Sequence, residues 1–149
     1  MTLESDVGCL QTIRIFRNVD PARLKLVALM SERIQYDPGD HIFHEGQRSD
    51  AAFFVLSGEV EISRDTPKGR LYALSLEAGA LFGAAAILCD QAYQGDAIAK
   101  SDVVALRLSK ELFFELMQSV PEFAVAVARD LAARIHHMAT AVFEAEPAS

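Results

Sequence analysis

No apolar run in this chain approaches the roughly 18 residues that a membrane span needs, although 51% of its 149 residues are hydrophobic. The opening segment, Met1-Thr2-Leu3-Glu4-Ser5-Asp6, is acidic and lacks the apolar core of a secretory leader. A cytoplasmic setting without membrane association is expected. Cysteine is nearly missing: Cys9 and Cys89 stand far apart, outside any Cys-x-x-Cys spacing. That argues against a disulfide framework and leaves too few thiolates for an iron–sulfur cluster. Positive charge is also short, with 14 Lys and Arg against 21 Asp and Glu, a net charge of −7. The cations are scattered, and none follows Arg134. A phosphate backbone demands clustered cations, so no direct nucleic-acid partner is expected. A P-loop, a dinucleotide fingerprint and a nucleophile elbow are missing too. No catalytic residue is assigned, and the chain reads as non-enzymatic.

What is present falls into three segments with different periods. Leu3, Val7, Leu10, Ile13 and Phe16 recur at helical spacing and predict a short amphipathic helix over 3–16. Asp20-Pro21 predicts the start of a second helix, with Asp20 as cap and Leu24, Val27, Ala28 and Met30 on its apolar side. From about 33 to 108 short apolar stretches follow: Ile34–Tyr36, His41–His44, Phe53–Leu56, Val60–Ser63, Leu71–Leu76 and Val103–Leu108. Turn signals separate them at Asp37-Pro38-Gly39, Glu45-Gly46, Ser57-Gly58 and Thr66-Pro67-Lys68-Gly69. After Leu108 the helical period returns, capped by Ser109 and reopened by Pro121, and runs to about Phe143. The expected fold is one α+β domain over 1–149. It is an antiparallel β-roll or jelly roll with N-terminal helices, a short helix near 84 and a long C-terminal helix.

Two motifs carry a family resemblance. They are Tyr36-Asp-Pro-Gly39-Asp-x-Ile42-Phe43-x-Glu45-Gly46 and Phe53-Phe54-Val55-Leu56-Ser57-Gly58-Glu59-Val60. Phe82-Gly83, a short apolar helix, and Asp102-Val-Val-Ala-Leu106 continue the pattern. Over roughly 14–137 the chain resembles the cyclic-nucleotide-binding domain family, which includes the ligand-binding half of catabolite activator protein and the regulatory subunits of cAMP-dependent kinase. The glycines at 39, 46 and 58 read as turn makers. Gly83 lies where the family's backbone approaches a phosphate.

The resemblance implies a phosphate-binding cassette at Leu81, Phe82, Gly83, Ala84, Ala85, Ala86, Tyr93 and Gln94. In the family a Glu after the cassette glycine binds the ribose; here that position is Ala84. About ten residues on, an Arg pairs with the cyclic phosphate. Counting back from Ser101-Asp102 puts Tyr93 there, or Gln94 if the loop differs by one residue. Losing one partner of a buried charge pair costs about 2–5 kcal/mol, roughly 30-fold to several-thousand-fold in affinity. Binding of cAMP or cGMP in the usual mode is therefore not expected, and no cofactor is assigned. Three readings stay open. The pocket is empty and structural; it holds a different, less anionic small ligand; or Lys100 or an Arg of a neighbouring chain replaces the lost cation. If the pocket switches, Val103, Leu106, Phe113, Phe114 and Leu116 would pass the shift to the helices.

Ala124, Ala128, Leu131, Ile135, Met138 and Val142 recur at spacings of 4, 3, 4, 3 and 4. That is a heptad seam, and it predicts a homodimer through the last helix. A second edge with Phe123 and Val127 would dock the helix on the β-roll. The alternative is that the whole stripe packs on its own domain. The family's transcription factors continue into a helix-turn-helix domain. None is expected here, so output would pass through a partner protein, or the chain would serve as a scaffold without a small ligand. A metal-dependent jelly-roll enzyme is the third reading. Against it, the His-x-His…Glu spacing is missing, and His41 and His44, three apart on one strand, should face opposite ways. His136 and His137 should diverge by about 100° on a helix. No metal site is assigned.

Overall fold

A computed structural model describes residues 3–145, with side chains over 7–145. The side chain of Leu3 lies outside the described residues. Helix α1 covers Leu3–Gln11, shorter than the spacing implied, and a 3-10 turn at Arg14–Phe16 follows. Helix α2 (Pro21–Met30) opens as expected: Asp20 Oδ1 accepts from the Ala22 N–H at 3.1 Å, and Pro21 takes the first helical position. Leu24 and Val27 are fully buried, whereas Met30 points to solvent.

Among the described residues, eight strands make two four-stranded sheets. They are β1 (Glu32–Tyr36), β2 (His41–Phe43), β3 (Ala51–Ser57), β4 (Val60–Thr66), β5 (Gly69–Leu76), β6 (Leu81–Phe82), β7 (Asp96–Ala99) and β8 (Val103–Ser109). One sheet runs β1-β8-β3-β6 and the other β2-β7-β4-β5. Every pairing is antiparallel. Between β6 and β7 sits the short helix α3 (Ala84–Leu88); α4 (Lys110–Ser119) and α5 (Pro121–Ala145) end the described chain. Ser109 Oγ accepts from the Leu112 N–H at 3.1 Å and caps α4 as its position predicted.

Strand β7 had no counterpart among the expected strands. Asp96-Ala-Ile-Ala has weak strand propensity, and alanine favours helices. Its place is set by packing: Ala97 and Ala99 are fully buried in the roll, where larger side chains would not fit between the sheets.

Two cores flank the β1-β8-β3-β6 sheet. Inside the roll lie Phe43, Phe53, Val55, Phe82, Tyr93 and Val103 with the small residues of β7. On the other face Ala52, Phe54, Leu81, Leu106 and Leu108 meet the helices. Strand β3 is buried on both sides, which explains its unbroken apolar run. Phe16 ties the helical layer together, 4.9 Å from Phe54 and 5.5 Å from Phe123 between ring centres. Helix α5 docks through Phe123 and Val127, as expected, but chiefly on the 3-10 turn and α4 rather than on the roll.

Gly58 does more than turn the chain. At φ +89° a Cβ would sit 2.2 Å from the Asp102 carbonyl oxygen and 2.9 Å from Val103 Cγ2. Gly39, at φ +91°, has nothing within 4 Å of that position. Gly39→Ala should therefore cost only the left-handed backbone penalty, about 1–2 kcal/mol. Gly58→Ala should cost about 3 kcal/mol or more through added backbone collision. Urea unfolding of both variants checks this, and equal losses would contradict it.

Candidate functional site

The segment 81–95 distributes its side chains over three environments. Strand β6 pairs with β3, Phe82 opposite Phe53 and Leu81 opposite Phe54. Alternation then sends Phe82 into the roll and Leu81 to the helical layer. Gly83 caps α3 in the left-handed region, at φ 82° and ψ −11°. Along α3, Ala84 and Ile87 are buried against the helical layer, Ala86 is half-buried against the roll, and Ala85 is exposed. Gln94 is exposed. The fold thus gathers Phe82, Gly83, Ala86 and Tyr93 on the roll side. Leu81, Ala84, Ala85 and Gln94 face elsewhere.

Tyr93 is the centre of that group. Its ring stacks on Phe43, 3.8 Å between centres and 7° from parallel. Its hydroxyl donates to the Ala51 carbonyl at 2.6 Å and accepts from the Ala51 N–H at 3.3 Å. The backbone beside it is tied to the loop after β2: Gly46 N–H donates to Tyr93 O at 2.8 Å, and Tyr93 N–H to Gln47 O at 3.0 Å. A Cβ on Gly83 would lie 3.2 Å from Ala51 O and 3.4 Å from Tyr93 Cε1. The phenol therefore fills the space beside the cassette glycine. It is only 3% exposed, and an aromatic ring with a satisfied hydroxyl is at home there.

Two nearby lysines are already engaged. Lys100 Nζ lies 3.9 Å from Glu61 Oε2. Lys110 Nζ lies 3.4 Å from Asp90 Oδ1, and a cleft of about 270 Å³ lined by Arg48, Ser49, Asp90, Gln91 and Lys110 opens beside the loop that follows α3. Arg134 of α5 reaches back to donate to the Leu81 carbonyl and pairs with Asp130 at 3.1 Å. That contact between α5 and the cassette was not foreseen. Its only trace in the sequence is a cation one turn after Leu131, on a helix otherwise apolar there. The residues expected to relay a shift are also split. Val103 lies inside the roll, while Leu106, Phe113 and Leu116 are in the helical layer, with Phe114 packed against it.

His41 and His44 contradict the expectation that they face opposite ways. β2 and β7 slip register between His41 and Phe43, where His41 pairs Ile98 and Phe43 pairs Ala97. The extra residue turns an odd separation into an even one. The two imidazoles stack, 4.3 Å between centres. His136 and His137 do diverge, with rings 6.3 Å apart at 67°.

Residues 33–120 match the cyclic nucleotide-binding domain. The chain belongs to this family. It is 30% identical over 122 residues to the cyclic AMP receptor protein of Thermus thermophilus, covering 81% of this chain and 56% of that one. It therefore spans only part of that relative. The sensor domain of the transcriptional regulator DNR from Pseudomonas aeruginosa shares the fold, with a TM-score of 0.79 and 24% identity over 99% of this chain and 97% of that one. So does the regulatory subunit of a cAMP-independent protein kinase A from Trypanosoma brucei, with a TM-score of 0.75 and 20% identity over 85% of this chain and 46% of that one. Among the described residues of this family member, no helix is long and apolar enough to cross a membrane.

Burial pushes the Tyr93 phenol up from its ordinary value of 10.0, against the opposing pull of the hydrogen bond to Ala51. Burial likewise raises Tyr36. A raised folded pKa means stability that is intact below the ordinary tyrosine value, about 10, and is lost as pH climbs toward the folded one. Stability in urea should hold up to about pH 10 and then decline. Tyr93→Phe should cost about 1 kcal/mol at neutral pH through the lost hydrogen bonds and make the alkaline decline shallower. An alkaline profile unchanged by the substitution would contradict this placement of the phenol.

Proposed function

We propose that the chain is a non-catalytic regulatory module, cytoplasmic, whose cassette does not hold a cyclic nucleotide in the family's usual manner. One observation carries the reading. Of the two residues at the family's phosphate-pairing position by count, Gln94 is exposed and Tyr93 is stacked on Phe43 with its hydroxyl committed to Ala51, and neither carries a positive charge. A phenol supplies no positive charge to the phosphate, and Ala84 supplies no carboxylate to the ribose. Phe82, Gly83 and Ala86 lie beside this ring among apolar side chains, where an apolar group would be tolerated better than a cyclic phosphate. A regulatory subunit of a cAMP-independent protein kinase A, from Trypanosoma brucei, shares this fold. The test is calorimetric titration with cAMP, cGMP and cyclic dinucleotides. No saturable heat with cAMP or cGMP up to about millimolar concentration is expected, since loss of the charge pair removes about 2–5 kcal/mol. Micromolar cAMP binding would overturn the proposal.

The output is proposed to run through α5 to a second copy of the chain. Leu131 is half-buried and packs on the helical core. Beyond it the seam stands clear of the body: Ile135 is 68% exposed, Met138 49% and Val142 63%. Ala128 is exposed as well. Apolar side chains in heptad register with no cover from their own chain are suited to a coiled-coil partner. Arg134 joins this helix to the Leu81 carbonyl, so a shift of the cassette would be felt along the seam. The scaffold reading keeps the same dimer and dispenses with the ligand. Light scattering should report a dimer for the intact chain and a monomer for Ile135→Asp/Val142→Asp. Both side chains are exposed, so the monomer should keep its helical circular dichroism. A dimer that survives the double change would rule out the seam.

A further inference from the structure

The outer face of the β2-β7-β4-β5 sheet carries a cluster that the cassette does not use. Ala97 and Ala99 point into the roll, so Asp96 and Ile98 point out. His41 is paired with Ile98 and, because of the register slip, His44 returns to the same side next to Asp96. One ligand atom from each of His41, His44 and Asp96 lies within 4.8 Å of the other two. Both imidazoles are exposed and touch chiefly each other, which leaves room for the small rotations that would close this triangle to the roughly 3.3 Å edges of a four-coordinate ion.

The carboxylate is already held in place. Asp96 Oδ1 accepts from the Glu45 N–H at 2.7 Å, and Oδ2 from Arg70 at 2.7 Å. Each oxygen keeps a second lone pair for an ion. Arg70 is also anchored by Asp65 at 2.7 Å and by Ser63 Oγ at 2.9 Å, so it has partners to retain if Asp96 turns toward a cation. Such outer contacts fix the orientation of a ligating carboxylate.

The geometry points to a binding site for one divalent transition cation at His41, His44 and Asp96. Two imidazoles and one carboxylate suit zinc, nickel or copper rather than magnesium or calcium, which require oxygen ligands. Three protein ligands leave open positions for water. The ion would clamp the end of β2 to the start of β7, where the chain enters the loop that is bonded to Tyr93. The site involves neither the α5 seam nor the interior of the roll.

The test uses untagged, chelator-treated protein and zinc chloride alone in calorimetry, with the visible spectrum of bound cobalt as a second readout. One zinc ion per chain is expected, together with a rise in melting temperature, because only the folded chain presents the site. His41→Ala and His44→Ala should each weaken binding by at least about tenfold. Asp96→Asn should weaken it too, but that change also disturbs Arg70, so the two exposed histidines carry the decision. His136→Ala/His137→Ala should leave binding unchanged. No zinc binding, or binding that survives the loss of His41 and His44, or binding abolished only by the change at His136 and His137, would overturn the site.

Discussion

The contact on which the roll depends is the one between Tyr93 and the start of β3. A phenol buried between Phe43 and the Ala51 backbone joins three segments that are distant in sequence: the end of β2, the first residue of β3 and the loop after α3. It does so without a charge. A guanidinium in the same place would need an anion beside it, because an unpaired buried cation costs several kcal/mol. A tyrosine needs only a hydrogen-bond partner for its oxygen, and the backbone of Ala51 supplies it. A phenol therefore closes this part of the fold without a buried charge.

The consequences spread along the chain. With Tyr93 fixed, the cassette glycine is confined between Ala51 and an aromatic ring. β6 continues from that glycine in the other direction, and its Leu81 carbonyl is held by Arg134. One short strand thus links an apolar interior to the helix that carries the exposed heptad seam. Coupling of this kind needs two arrangements of the packed elements that a ligand can favour unequally. Leu106 and Leu108 on β8, with Phe113 and Leu116 on α4, form the packed helical layer beside that link.

Much of this was legible in the residues. Apolar runs broken by Pro, Gly and Asp located β1 to β5 and β8, and Asp20, Pro21, Ser109 and Pro121 marked helix starts. Those signals are local, and local chemistry is what a single sequence records. β7 was invisible because its inward positions are alanines, chosen by the space between two sheets that no local pattern describes. The shared face of His41 and His44 was misjudged for a related reason. A bulge is a property of the pairing between β2 and β7, not of β2 alone. Tyr93 was singled out by counting, but its buried setting depends on Phe43, fifty residues earlier, and on Ala51. The family resemblance grouped Leu81 and Ala84 with it, although strand and helix periodicity turn them to the opposite side.

A crystal structure of the protein grown with saturating cAMP tests the central claim most directly. The account predicts electron density for the Tyr93 ring against Phe43, its hydroxyl on Ala51, and no nucleotide beside Gly83. An ordered cyclic nucleotide inside the roll, with Tyr93 swung away and a guanidinium or ammonium group on the phosphate, would contradict it.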